Sequence, residues 1–219
     1  MSKKFNYLIL VLLFSLAEEI YASSIDQNVI NHKKQFSDVA IEIWNHAEMG
    51  YQETKSSNLL AYELEKEGFT ITKNVADIPT AFIAEYGSGG PVIGILGEFD
   101  ALPGLAQSHS PFKEVIDNGT GAGHAGGHHL FGAAAAWAAV AVKEWLEFNG
   151  IKGRVRFYGT PAEEGGSGKV YMVREGLFDD VDIVLHWHPD DINSANSRTS
   201  NSNKSAKFTF NGISSHAAG

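Results

Sequence analysis

The sequence predicts an α/β fold in which helices flank a mixed, largely parallel sheet. Two early segments repeat apolar residues every three to four positions, as amphipathic helices do. Short apolar runs that suit strands then alternate with helical segments, which is typical of helices packed around one sheet. The chain has 219 residues, of which 43% are hydrophobic and 20% charged, and these are ordinary values for a globular protein.

Helical periodicity extends over residues 25–68 and restarts at Thr54, so two packed helices are predicted there. Gly68 is expected to end the second helix, because glycine is common just after a helix end. The apolar positions expected to face the core are Val39, Ile43, Trp44, Ala47, Leu59, Leu60, Tyr62 and Leu64.

The alternating part of the chain follows these helices. A glycine-rich loop, residues 119–127, precedes its longest helix, in which a run of alanines at 133–136 indicates close packing against a neighbouring element. The predicted elements are strands at 81–86 and 92–96, a helix at 130–148, a strand at 154–158, a helix at 169–175 and a strand at 182–187.

Both ends of the chain differ from its middle. Residues 1–24 are predicted to be a signal peptide, because two lysines precede an apolar run and small residues follow it. We therefore expect export to the periplasm or the extracellular space, with an uncleaved membrane anchor as the alternative. A polar segment near 190–205 predicts a domain boundary, and 206–210 predicts the first strand of a second domain. Because that domain is too short to bury a core, we expect a longer natural chain.

The composition excludes several functional classes. The formal net charge of −9 argues against a basic surface for nucleic acid. The chain has no cysteine, which excludes disulfides, thiolate nucleophiles and thiolate metal ligands. Its nine histidines and 26 acidic residues remain as candidate ligands for a metal ion.

Three histidines, His124, His128 and His129, lie where the glycine-rich loop enters the long helix. Histidine is a common zinc ligand, and glycines allow the backbone to bring such side chains together. Loops at this position of an open α/β sheet are also where active sites collect. The alternative is that these histidines are simply exposed on a surface loop.

Two adjacent carboxylates, Glu163 and Glu164, follow the strand predicted at 154–158. Adjacent carboxylates repel each other unless a cation or a proton compensates. One of them can bind a metal ion while its neighbour takes a proton from an attacking water, as in hydrolytic zinc sites. The alternative is a pair of solvated loop acids.

Two further strands also end in polar residues. His186 and His188 close the strand predicted at 182–187, where alternation sends both side chains to one face unless they are core histidines. Asp100 follows the strand at 92–96, and we expect it to orient a ligand histidine or to cap a turn rather than bind metal. Polar clusters at so many strand ends favour one shared site over coincidence.

Taken in order, these motifs resemble the M20 metallopeptidases. The resemblance is to their amidohydrolase branch, which includes aminoacylases, IAA-amino acid hydrolases and p-aminobenzoyl-glutamate hydrolases. It covers the chain from about residue 31 to residue 219. The stretches that carry it are 46–54, 98–104, 124–130, 161–165, 187–189 and 212–218.

The resemblance implies a role for each cluster. It implies that His128, Glu164 and His188 bind one or two divalent metal ions, with zinc expected and manganese or cobalt as alternatives. It implies that Glu163 is the general base that activates water. It places His216 in a lid and dimerisation domain, where this histidine helps to stabilise the oxyanion.

The expected function is hydrolysis of an amide bond in an N-acyl amino acid, an aminobenzoyl-glutamate-like conjugate or a dipeptide. Residues 25–200 would form an incomplete catalytic domain and residues 201–219 the start of the lid and dimerisation domain. Full-length relatives are expected to be homodimers. We expect no nucleic-acid partner, and no stable membrane anchor after removal of the signal peptide.

The chain departs from the family pattern at Gly126. The amidohydrolase branch has a metal-binding cysteine there, and glycine offers no donor atom. His124 and His129 are the candidates to replace that ligand, and Asp100 and His186 are the candidates for supporting roles. A last ligand histidine is expected beyond residue 219. The alternatives to an active hydrolase are therefore a catalytically impaired exported protein that keeps only the scaffold, or a gene fragment.

Overall fold

The computed structural model describes residues 26–195, 199, 201–214 and 216. The chain divides into a unit that ends at Pro189 and a second unit, Asp190–Gly219. The predicted signal peptide, residues 1–24, lies outside the described residues. Within the described part of the chain, no helix has the length and apolar character needed to cross a bilayer.

The first unit is built on a sheet of five strands. Its strands are β1 (Thr70–Lys73), β2 (Phe82–Ser88), β3 (Val92–Gly97), β6 (Gly153–Gly159) and β7 (Ile183–Leu185). Their order across the sheet is β1-β2-β6-β3-β7. Strand β2 is antiparallel to both of its neighbours and the other pairs are parallel, so four of the five strands run in one direction. Two short strands, β4 (Leu102–Pro103) and β5 (Ala122–Gly123), form a separate antiparallel pair.

Helices cover both faces of the sheet, which confirms the predicted α/β fold. They are α1 (Lys33–His46), α2 (Thr54–Lys66), α3 (His128–Asn149), α4 (Glu163–Gly166) and α5 (Gly168–Arg174), with a 3-10 helix at Val75–Asp77. Helices α1, α2 and α3 share one core with the sheet, whose largest members are Phe36, Ile43, Leu60, Leu64, Phe82, Phe99, Phe131 and Phe157. A fully buried side chain of this size contributes about 1.5–3 kcal/mol. On the other face, Leu96 and Tyr158 pack with Met172 of α5.

The two predicted amphipathic helices are confirmed, with one error in the buried face. Val39, Ile43, Leu60 and Leu64 are buried as expected. Tyr62 is wrong, because its side chain is 57% exposed. It lies two residues from both Leu60 and Leu64, and positions two apart point to opposite sides of a helix.

Helix α3 lies unusually close to the end of β3. A Cβ atom at Gly132 would lie 2.6 Å from the carbonyl oxygen of Glu98, so any larger residue would push the helix away. Ala133, Ala135 and Ala136 are also buried, as the alanine run predicted. This close packing holds the first turn of α3 against the residues that leave β3.

Two predicted strands differ from the structure. Strand β7 ends at Leu185, so His186 and Trp187 follow the strand instead of belonging to it. The strand predicted at 206–210 is wrong, because residues 201–214 contain no regular secondary structure. Phe208 and Phe210 are 82% and 91% exposed. A strand needs a neighbour to receive its hydrogen bonds, and this segment pairs with no other described segment.

Candidate metal centre

The candidate site lies where three neighbouring strands end. Strands β6, β3 and β7 are parallel, so their carboxyl ends meet at one edge of the sheet, where α/β proteins usually bind ligands. Helix α3 begins at this edge with His128. The polar residues that follow the three strands are Glu98 and Asp100 after β3, Glu163 and Glu164 after β6, and His186 and His188 after β7.

His128 is the centre of the site. Its ring is almost fully buried, and its Nδ1 atom lies 2.9 Å from Oδ1 of Asp100 and 3.1 Å from the Asp100 carbonyl oxygen. Because both of these oxygens are acceptors, Nδ1 carries the hydrogen. The Nε2 atom lies 3.0 Å from Oε2 of Glu98 and 3.9 Å from a carboxylate oxygen of each of Glu163 and Glu164. Nε2 is therefore the atom that faces the acidic residues.

The charges around His128 favour a cation. Burial acts to lower the pKa of His128, but the hydrogen bonds and negative charges of Asp100 and Glu98 outweigh it and raise this pKa to about 10. Burial raises the pKa of Glu164, and the charges of Asp100, Glu163 and Glu98 raise it further, while His128 acts against them. A divalent cation would relieve this repulsion between the carboxylates.

Glu98, to which the sequence assigned no role, is buried in the site. Its Oε1 atom accepts a hydrogen bond from the Lys169 ammonium and lies 3.6 Å from Nε2 of His186. Burial alone would raise the pKa of Glu98, but hydrogen bonds from His128 and His186 and the charge of Lys169 hold it well below its usual range. The signal in the sequence is a second acid two residues before Asp100, directly after an apolar strand.

Two groups of side chains have the geometry to hold a metal ion. In the first, Glu98, His128 and His188 each offer one atom, and these atoms all lie within 4.8 Å of one another. In the second, His128, Glu163 and Glu164 do the same. Imidazole nitrogens and carboxylate oxygens suit zinc, so the donors fit the predicted divalent ion. The predicted ligands are thus divided, with Glu164 in one group, His188 in the other and His128 in both.

Asp100 holds both sides of the site. While Oδ1 faces His128, Oδ2 accepts a hydrogen bond of 2.9 Å from the backbone N–H of Glu164. The structure therefore places Asp100 beside two candidate ligands, as an orienting group. His186, the other candidate for a supporting role, packs edge-on against the ring of Phe131, with centroids 4.9 Å apart.

The turn before Glu163 depends on a buried carboxylate that the sequence did not reveal. Ala162 has a φ angle of 56°, a left-handed conformation that costs a non-glycine residue about 1–3 kcal/mol. Glu53 is fully buried and accepts hydrogen bonds of 2.7 Å from the Ala162 N–H and 3.0 Å from the Thr80 hydroxyl. Burial raises the pKa of Glu53. This carboxylate fixes the loop that carries Glu163 and Glu164.

His124 and His129 do not join either ligand group. His124 Nε2 lies 3.0 Å from the carbonyl oxygen of Ile43 in α1, and the ring of His129 packs edge-on against Trp44 at 4.9 Å. Burial lowers the pKa of each to about 4. The expectation that one of them replaces the missing ligand is wrong on this geometry, because both rings are packed beside α1. Since successive helical residues point about 100° apart, His129 cannot face the same way as His128.

Position 126 itself points into the site. A Cβ atom built on Gly126 would lie 2.9 Å from Oε1 of Glu164 and 3.8 Å from Nε2 of His128. Gly126 has no positive φ angle, so the backbone there accepts any side chain. Glycine therefore leaves a place beside two candidate ligands without a donor atom. His216, the other predicted site residue, lies in the second unit.

Comparison with known proteins identifies the same family. Residues 94–203 match peptidase family M20/M25/M40. The chain is 48% identical to a p-aminobenzoyl-glutamate hydrolase of Escherichia coli (strain K12) over 201 residues, which are 92% of this chain and 42% of that protein. It is 32% identical to human Xaa-Arg dipeptidase over 70% of this chain and 35% of that protein. The chain thus spans less than half the length of these relatives.

A solved structure agrees with these sequence matches. A dinuclear metal binding peptidase of the M20 family from Bacillus subtilis superimposes with a TM-score of 0.60 and 29% sequence identity. The superposition covers 72% of this chain and 43% of the other. The fold and the family matches therefore agree, and the chain belongs to peptidase family M20/M25/M40.

Proposed function

We propose that this protein is a metal-dependent hydrolase that cleaves an amide bond in an N-acyl amino acid, an aminobenzoyl-glutamate-like conjugate or a dipeptide. One observation carries the proposal. Nε2 of His128 lies 3.9 Å from both Glu163 and Glu164, while Asp100 fixes the opposite side of the same ring. A nitrogen ligand, a carboxylate ligand and a second carboxylate are thereby placed around one point, as hydrolytic metal sites require.

The residues that hold the ion are His128 through Nε2, together with His188 and the carboxylates of Glu98 or Glu164. A divalent ion bound there supplies Lewis acidity, which polarises the substrate carbonyl and lowers the pKa of water. The buried carboxylate of Asp100 keeps His128 in the tautomer that presents Nε2 to the site. Zinc is the expected ion, and manganese and cobalt are the alternatives.

Glu163 is proposed as the general base. Its side chain is 47% exposed, so water and substrate reach it, whereas Glu98 is buried. Glu163 takes a proton from the attacking water as the water oxygen bonds to the carbonyl carbon. It then delivers that proton to the leaving nitrogen as the carbon–nitrogen bond breaks, which yields a carboxylic acid and an amine.

The relatives suggest which substrates to try. p-Aminobenzoyl-glutamate comes first, because the Escherichia coli relative named for its hydrolysis is 48% identical. Dipeptides that end in arginine come second, because the human dipeptidase is 32% identical. The matched part of the Bacillus subtilis peptidase supports a divalent metal in either case.

The test is the release of p-aminobenzoate from p-aminobenzoyl-glutamate, followed by chromatography with and without a chelator. Glu163→Gln is expected to lower turnover roughly 10²- to 10⁴-fold, since it removes the general base. Glu175→Gln, at an exposed position after α5, is the matched control and should retain the parent rate. Full activity in Glu163→Gln, or in chelated protein, would contradict the mechanism. Metal binding without any turnover would favour the impaired-scaffold alternative.

We also propose that the protein is exported and that His216 assists the reaction from the second unit. Export rests on the signal-peptide pattern of residues 1–24. Expression of the chain from Met1 in a bacterial host, followed by N-terminal sequencing of the periplasmic fraction, tests it. For His216→Ala we expect a lower kcat with unchanged metal content. An intact N-terminus, or an unchanged kcat, would contradict the respective proposal.

A further inference from the structure

The two ligand groups share one residue. Glu98 and His188 form the first group with His128, and Glu163 and Glu164 form the second group with the same histidine. Two metal ions at this cluster would therefore have to divide His128 between them.

His128 cannot serve two ions. Its Nδ1 atom is committed to Asp100, 2.9 Å away on the carboxylate and 3.1 Å away on the carbonyl oxygen. Nε2 remains, and a ring nitrogen has a single lone pair. An ion bound by either group therefore takes His128 from the other group.

The group that loses His128 retains two ligands. These are Glu163 and Glu164 if the ion lies with the first group, or Glu98 and His188 if it lies with the second. A catalytic zinc site generally has three protein ligands and a structural site four. Among the described residues, no third ligand joins either remaining pair within the same distance.

The missing ligand has a place in the structure. A Cβ atom on Gly126 would lie 2.9 Å from Oε1 of Glu164, so a donor side chain at this position would join Glu163 and Glu164. The close contact is with the far end of a flexible carboxylate, which can move. The solved M20 relative from Bacillus subtilis is dinuclear, so the scaffold itself accepts two ions.

We infer that this chain holds one divalent ion at the cluster instead of two, and that Gly126 is the position that withholds the second. The inference rests on the proposed function, because it takes the cluster to be a metal site. It goes further by assigning the number of ions to two specific causes: the single lone pair of His128 and the absent side chain at residue 126.

The test is the number of cobalt ions bound per folded chain, measured by elemental analysis after removal of excess ion. The parent should bind about one ion, and Gly126→Cys should bind about two and show a thiolate-to-cobalt absorption band. Gly165→Cys is the matched control. It introduces the same residue beside Glu164, but no atom lies within 4 Å of a Cβ at Gly165, so it should still bind about one ion.

Each outcome decides a different point. Two ions in the parent would overturn the inference and leave the proposed function standing, whereas no ion in the folded parent would overturn both. One ion in a folded Gly126→Cys variant, without the absorption band, would overturn the role of Gly126. If that variant does not fold, the parent value still decides the number of ions.

Discussion

Asp100 and His128 form a buried pair in which Oδ1 lies 2.9 Å from Nδ1. The other carboxylate oxygen of Asp100 accepts the backbone N–H of Glu164, also at 2.9 Å. One side chain therefore fixes the ring of one candidate ligand and the backbone of another. Groups that orient metal ligands in this way usually contribute substantially to metal affinity.

Asp100→Ala should weaken metal binding by roughly 10- to 100-fold, because His128 and Glu164 both lose their orienting partner. This corresponds to about 1.4 to 2.8 kcal/mol. Competition with a chromophoric chelator measures it. Asp100→Asn should lose less, since its amide oxygen still accepts from His128. Parent affinity in Asp100→Ala would show that the pair does not position the ligands.

Glu53→Ala should destabilise the fold by about 3 kcal/mol, because the Ala162 N–H and the Thr80 hydroxyl lose their buried acceptor. Urea unfolding followed by circular dichroism measures the loss. The matched control is Glu65→Ala, at an exposed position of α2, where the change should be within about 0.5 kcal/mol. Equal stability of the two variants would mean that Glu53 does not support the loop.

His32 should make stability depend on pH. Its Nε2 atom lies 2.7 Å from Glu144, which joins the residue before α1 to α3. Burial acts to lower the pKa of His32, but hydrogen bonds with Gln35 and Glu144 and the charges of Glu144 and Glu67 raise it above 6.5. Because the folded pKa is the higher one, this contribution is complete below about pH 6.5 and is lost as the pH rises through the folded value.

The variant His32→Gln tests this relationship. Its stability deficit against the parent should be larger at about pH 5.5 than at about pH 8.5, as measured by urea unfolding at each pH. A deficit that is the same at both values would contradict the raised pKa and indicate that His32 acts through packing alone.

The edge of the sheet that carries the site could be predicted from the sequence. Glu163 and His188 follow apolar runs of strand length, and parallel strands bring their carboxyl ends together. The roles of Glu98 and Glu53 could not be predicted. Glu53 bonds to a residue 109 positions away, and no local pattern encodes such a contact. Local periodicity likewise contains no information about pairing, which is why the strand expected at 206–210 is absent from the described residues.

The choice among the three neighbouring histidines could not be predicted either. His124 and His129 are as suitable chemically as His128, and only packing beside Trp44 and Ile43 separates them from the ligand groups. Tertiary packing, which the local sequence does not encode, thus decides which of the three rings faces the acids.

The central claim is that His128 anchors a divalent metal ion, and metal content tests it most directly. The measurement is elemental analysis of the purified parent, His128→Ala and His129→Ala, with folding checked by circular dichroism. We predict about one ion in the parent and in His129→Ala, and background metal in His128→Ala. A folded parent without metal, or a His128→Ala variant that retains it, would contradict the claim.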